Sequence, residues 1–191
     1  MNFLQTHRAL IFDCDGTLTD SMPLHFRAWR QALQPYALEL PEPRFYALGG
    51  VPTETIIRML CEEQGIEADA AQVAAEKEAA FLQIAHQVAA HEPVCAIARQ
   101  HHGKLPMAVA SGGIREVVID QLQRIAMQDY FATIVAAEDT VKHKPDPDVF
   151  LEAARRLGVA PSDCVVFEDT DIGLLAARRA GMDGVDVRTL R

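Results

Sequence analysis

The chain has 191 residues, 49% of them hydrophobic and 24% charged, with a formal net charge of -9 at pH 7. That length buries one sizeable core with a modest insertion, and the apolar-to-charged balance excludes a disordered or fibrous chain. Acidic residues are in excess and Lys and Arg do not cluster, so no nucleic-acid partner is expected and an anionic ligand would need local positive groups.

The N-terminal stretch MNFLQTHRAL lacks an apolar core followed by small residues, and no run approaches the roughly 18 uninterrupted apolar residues of a membrane span. A cytoplasmic protein without membrane partners, monomeric or weakly homodimeric, is expected. Cys14, Cys61, Cys95 and Cys164 show neither CxxC spacing nor a nearby His pattern, so they read as structural thiols. His101, His102 and His143 likewise lack ligand spacing and read as solvated loop residues.

In chain order, Leu10-Ile11-Phe12 is a short apolar run ending at Asp13. Helical patterns follow over 24–33, 53–64 and 69–88, the last Ala-rich with Phe81, Ile84 and Val88 along one side. Further apolar runs occur at 107–110, 134–137, 165–167 and 184–187. Helical stripes separate them: Ile114, Val117, Val118, Leu122 and Ile125; then Val149, Phe150, Ala153, Ala154 and Leu157 before Gly158; then Leu175, Ala176 and Ala180 before Gly181. Short continuous apolar runs suit strands buried on both faces. Their alternation with helices predicts an α/β fold, a Rossmann-like parallel sheet with helices on both faces. About ninety residues separate the first two strands, far beyond an ordinary crossover. Residues 20–90 are therefore expected to form a small helical cap domain inserted into a core of 1–19 and 91–191.

Ligands of open parallel sheets bind at the carboxyl ends of the strands. Those stations hold Asp13 and Asp15, then Ser111, then Lys144, then Glu168 and Asp169. Carboxylates converging on one point need a cation to remain ionised, and hard oxygen ligands suit Mg²⁺, which favours substrate phosphate oxygens. Lys144, the Ser111 hydroxyl and the N–H groups of Gly112 and Gly113 can bind a phosphoryl group. Asp13 then reads as a nucleophile and Asp15 as the acid that protonates the leaving alcohol and later activates water. Lys142 competes with Lys144 but reads as solvated. Asp20 reads as a helix N-cap or turn brace as readily as a substrate contact. His25, on the first cap helix, reads as substrate recognition or proton positioning against a packing alternative, and Phe26 and Trp29 as cap core. Gly49 and Gly50 form a turn that permits close backbone approach to a substrate. Lys77, the only lysine of the insertion, lies in the Ala-rich helix and gives a Schiff-base mechanism little support.

DCDGTLTD at 13–20, SGG at 111–113, KP at 144–145 and ED at 168–169, in that order, resemble the four motifs of the haloacid dehalogenase-like superfamily. The resemblance spans the chain. It implies a magnesium-dependent aspartyl-phosphate mechanism, with Asp13, the Asp15 carbonyl and Asp169 as metal ligands, Glu168 nearby, and Thr17, Ser111 and Lys144 on the phosphate. In the dehalogenases of that superfamily the second Asp is absent, so Asp15 excludes their branch. The cap resembles that of sugar-phosphate phosphatases and β-phosphoglucomutases, and HFRAW at 25–29 is similar to the mutases. Where the mutases carry Lys-Gly and a following Arg, this chain has Gly49-Gly50-Val51-Pro52-Thr53. Loss of both cap cations removes charge that a bisphosphate would need. A phosphatase acting on a small sugar phosphate, such as fructose 1-phosphate or 6-phosphogluconate, is therefore expected. A phosphomutase is the alternative; a phospho-acceptor signalling domain would not carry the long insertion.

Overall fold

The computed structural model describes residues 6–190, so residues 1–5 of the N-terminal stretch lie outside the described residues. Five strands form one all-parallel sheet: β1 (Ala9–Phe12), β2 (Met107–Ala110), β3 (Thr133–Val135), β4 (Cys164–Glu168) and β5 (Asp183–Asp186), in the order β3-β2-β1-β4-β5. The order reverses between β1 and β4, and the crevice there is where such sheets take ligands.

Alternation along the strands splits the core into two layers. Leu10, Phe12, Val109, Val165 and Phe167 face α5 (Glu92–His101) and α6 (Arg115–Arg124), with Phe12 and Phe167 stacked at 4.6 Å. Ala9, Ile11, Ala108, Ala110 and Val166 face α7 (Asp148–Leu157) and α8 (Asp171–Arg179). The expected α/β sheet with helices on both faces is observed. β5 differs from the expectation of full burial: its residues are exposed or half-buried because it is an edge strand ending the sheet.

Between β1 and α5 the chain forms α1 (Met22–Leu33), α2 (Glu42–Ala47), α3 (Thr53–Gln64) and α4 (Ala70–Ile84), after which Ala85–Gln87 tightens into a 3₁₀ turn. These helices enclose their own apolar cluster, including Met22, Trp29, Leu33, Phe45, Ile57, Leu60 and Val73, with Phe26 packed against it. A further cluster joins them to α6: Leu24, Ala28, Ala80, Phe81 and Ala85 pack with Val117. The chain leaves and re-enters the sheet layer side by side, Asp20 N–H donating to the Ala89 carbonyl at 2.9 Å and His91 N–H to the Leu18 carbonyl at 2.9 Å. Among the described residues, no helix is long and apolar enough to cross a membrane.

Two elements escape the sequence patterns. α5 starts at Glu92 with Pro93 in its first turn, and α2 is a short helix with Pro43 likewise placed; both use proline where a helix has no N–H to lose. As a result His101 is not a solvated loop residue but a buried member of α5, its Nδ1 2.8 Å from the Ile97 carbonyl.

Candidate active site

Asp13 directly follows β1, is buried, and its N–H donates to the Phe167 carbonyl at 3.0 Å, which ties the residue to the next strand. The turn beyond it depends on Gly16: at φ +82°, an added Cβ would fall 2.2 Å from Asp169 Oδ2. Glycine thus lets the loop after β1 and the loop after β4 meet. Ser111, next after β2, is buried and accepts the Gly113 N–H on Oγ at 3.0 Å.

Lys144 lies beyond β3 and is almost fully buried, with Nζ 2.6 Å from Asp13 Oδ1 and 2.7 Å from Glu168 Oε2. Burial opposes its ammonium, but the two carboxylates outweigh that cost and raise its pKa. Burial first, and then repulsion from Glu168, push the Asp13 carboxyl well above the ordinary carboxylate range despite Lys144. Asp169 is pushed up to about 7 by the same two causes. The ammonium bonds two of three clustered acids: oxygens of Asp13, Glu168 and Asp169 lie within 4.8 Å of one another.

Glu168 is locked in place. Its Oε1 accepts from the N–H groups of Asp169 and Thr170 at 3.1 and 3.0 Å and from Thr170 Oγ1 at 2.8 Å. Thr17 is buried beside this group and donates its hydroxyl to Asp169 Oδ1 at 3.0 Å.

Asp15 stands apart from Lys144 and is bound on one oxygen only. Oδ1 meets His25 Nε2 at 2.7 Å and accepts from Ser21 Oγ at 2.6 Å and Gln121 Nε2 at 2.8 Å. Burial alone would raise this carboxyl, but His25, with the two other donors, holds it well below the ordinary range. No hydrogen bond reaches Oδ2 among the described residues, and that atom lies toward Gly113.

The insertion supplies the opposite wall. The cavity over Asp13 and Asp15 measures about 60 Å³ and is lined by His25, Trp29, Gly49, Gly50, Thr53, Lys77 and Glu78 as well as by Ser111 to Gly113. Gly50 packs on the Lys144 side chain and on Gly112, and Gly49 on Thr170. His25 stacks on Phe81 at 3.8 Å, as the packing alternative has it, and also bonds Asp15.

The candidate residues read from the sequence thus meet in one place, Asp20 and the competing Lys142 excepted. The first residue before α1 is Ser21 rather than Asp20; Ser21 turns its hydroxyl to Asp15, and Asp20 stays in solvent. Lys142 is exposed, as read. The two loop cations of the mutases are absent as read, but a cation the loop reading did not count, Lys77 of α4, is buried at the pocket and paired with Glu78. Its signal was the four-residue spacing of Val73, Lys77 and Phe81, which puts a lysine inside an apolar stripe. Gln121 was missed too, because a polar residue on an amphipathic helix ordinarily faces water.

Residues 10–187 match the family model of haloacid dehalogenase-like hydrolases. The chain belongs to that family. It is an enzyme of the phosphatase type within it. It is 40% identical to the fructose-1-phosphate phosphatase YqaB of Escherichia coli (strain K12), over 97% of this chain and 99% of that protein. It is 29% identical to a β-phosphoglucomutase of Bacillus subtilis (strain 168), over 94% of this chain and 83% of that protein. Among solved structures, a hydrolase from Pseudomonas syringae superposes with a TM-score of 0.84 at 28% identity, covering 93% of this chain and 83% of that one.

Proposed function

We propose that this enzyme hydrolyses a small sugar phosphate, fructose 1-phosphate being the leading candidate, through a phosphoryl group carried transiently on Asp13. The observation that carries the reading is the meeting of Asp13, Glu168 and Asp169 within 4.8 Å around one buried lysine, with Asp15 beside them bound on one oxygen only. The 40% identity to a fructose-1-phosphate phosphatase supports the sugar.

A divalent cation fits the donor set. Three carboxylates against one ammonium leave an excess of negative charge, and hard carboxylate oxygens suit Mg²⁺. Asp13, Asp169 and the Asp15 carbonyl would hold it, with Glu168 close by. When bound, the cation supplies positive charge against the phosphoryl oxygens.

The chain's own groups account for the rest. An Asp13 carboxylate oxygen forms a bond to phosphorus as the bond from phosphorus to the sugar oxygen breaks. Asp15 Oδ2, the oxygen that no hydrogen bond reaches among the described residues, faces that leaving oxygen; the phosphoryl charge of a bound substrate opposes the lowering by His25, so Asp15 takes up a proton as substrate binds and passes it to the leaving oxygen. It then takes a proton from the water that attacks phosphorus, releasing phosphate and restoring Asp13. Lys144, the Ser111 hydroxyl, itself held by the Gly113 N–H, and the Gly112 N–H bind the non-reacting oxygens, with Thr17 nearby. The helices of 20–90 act as a cap that excludes bulk water, the paired connections at 18–20 and 89–91 serving as its hinge.

Lys77 in the pocket gives the phosphomutase reading its support, since a cap cation could hold a second phosphate. Phosphate release from fructose 1-phosphate, 6-phosphogluconate and β-glucose 1-phosphate, with Mg²⁺, with chelator, and with Asp13→Asn, separates the two. Free phosphate that needs both Mg²⁺ and Asp13 supports the hydrolase. Conversion of β-glucose 1-phosphate to glucose 6-phosphate without free phosphate overturns it in favour of the mutase.

A further inference from the structure

We propose that Glu78 is a specificity residue: by pairing with Lys77 at the cap wall it leaves the pocket without an anchor for a second anion, so that the enzyme selects uncharged polyol or ketose monophosphates over bisphosphates and aldonate phosphates. The inference rests on the phosphatase reading and narrows it.

Lys77 and Glu78 are adjacent on α4, and both line the cavity above Asp13 and Asp15. Glu78 is 8% exposed and Lys77 4%. The Lys77 ammonium lies 3.0 and 3.2 Å from the two Glu78 oxygens and 3.0 Å from His25 Nδ1. Those three acceptors match the three N–H donors of the ammonium, and the Trp29 and Phe81 rings lie 5.7 and 5.8 Å from Nζ. Glu78 is fixed from a second side by Thr53, whose hydroxyl donates to Oε1 at 2.6 Å. Thr53 opens α3 immediately after the loop of Gly49 and Gly50, so pair, hydroxyl and loop form one wall.

The remaining charge on that side is also cancelled. Arg58, which lines the neighbouring cavity together with Thr53 and Glu78, is paired with Glu54. Lys144 is committed to the reacting end. A phosphate or carboxylate at the far end of a substrate would thus meet the Glu78 carboxylate in a site shielded from water, with no uncommitted cation among the lining residues described. A sugar hydroxyl instead finds good partners there: it can donate to Glu78 or to Thr53 Oγ1, whose own proton is held by Glu78. Residue type alone would have suggested the opposite, since a lysine facing a phosphatase pocket reads as an anion clamp.

The test is kcat/KM of wild type, Glu78→Gln and Lys77→Met on fructose 1-phosphate, fructose 1,6-bisphosphate, 6-phosphogluconate and p-nitrophenyl phosphate, with thermal melts of each protein. Freeing Lys77 in Glu78→Gln should raise the ratio of bisphosphate or aldonate phosphate to fructose 1-phosphate about tenfold, mostly through KM. Lys77→Met, which leaves Glu78 unopposed, should lower the same ratio. Opposite signs set this apart from a folding defect, which would depress every substrate in both variants. If Glu78→Gln proves unfolded, the fall in Lys77→Met decides. An unchanged ratio in a folded variant, with wild type hydrolysing fructose 1-phosphate and p-nitrophenyl phosphate, overturns the inference alone. Absence of phosphate release from every probe by wild type overturns the phosphatase reading, and the inference falls with it.

Discussion

Substituting Gly112 by Ala tests whether the loop of Gly49 and Gly50 must sit where it does for turnover. A Cβ on Gly112 would stand 2.2 Å from the Gly50 carbonyl oxygen and 2.7 Å from its carbon, backbone atoms with no rotamer to escape by. Ordinary contact begins at 3.4 Å, so the two loops must part by 1.2 Å. Gly112 itself is not in the left-handed region, so its backbone accepts alanine, and the unfolded chain loses entropy worth about 0.4–1 kcal/mol in favour of the fold. Separation of the loops acts on the site, because Gly50 also packs on the Lys144 side chain. A displacement of about 1 Å in a catalytic arrangement costs on the order of 100-fold, or about 2.7 kcal/mol of transition-state stabilisation. Phosphate release and a thermal melt, measured together, should show kcat/KM down by about that factor with only a small change in Tm, the strain of parting the loops, about 1–3 kcal/mol, being partly offset by that entropy. Wild-type kcat/KM in Gly112→Ala would refute the argument, and so would a loss of activity matched by a loss of stability.

Other expectations concern the scaffold. Ala126 has φ +55° in a turn closing α6, with Met127 N–H bonded to the Leu122 carbonyl and Ala126 N–H to that of Gln123, the same pattern that Gly158 and Gly181 serve after α7 and α8. Ala126→Gly should therefore stabilise the protein by about 0.5–1 kcal/mol in denaturant unfolding. Asp139 accepts from Arg115, from Arg156 at 2.8 Å and from the Ala136 N–H at 2.8 Å, while both arginines reach the carbonyl of Ile134 in β3. Asp139→Ala should cost about 1–2 kcal/mol, less in high salt, and a stability equal to wild type would mean the network is solvated. Burial pushes the Cys95 and Cys164 thiols up to about 11 and raises Cys14 well above the ordinary thiol value, leaving half-buried Cys61 as the one thiol that iodoacetamide should modify in the native protein, read by peptide mass spectrometry.

What could be read from the sequence followed from how local each signal is. The strands showed because a strand buried on both faces is a continuous apolar run, as at Ala9–Phe12 and Met107–Ala110. The acidic site showed because its members stand at the ends of those runs, where topology alone brings them together. Lys77, Glu78 and Gln121 reach the site through the direction a helix presents, which depends on how α4 and α6 pack. A buried polar side chain satisfied by tertiary partners carries little local sequence signal. Ser21 and Asp20 illustrate the same limit at shorter range: either can open a helix by type, and the demand of Asp15 for donors decides which one turns inward.

The central claim is that Asp13 carries the phosphoryl group and that Asp15 is needed to release it. The most direct measurement is mass spectrometry of acid-quenched Asp15→Asn after mixing with p-nitrophenyl phosphate and Mg²⁺, since that leaving group departs without help from a proton donor. The account predicts one phosphoryl group on the peptide containing Asp13, persisting long after wild type has returned to its unmodified mass. A phosphoryl group on any other residue, or steady phosphate release with none on Asp13, would contradict it.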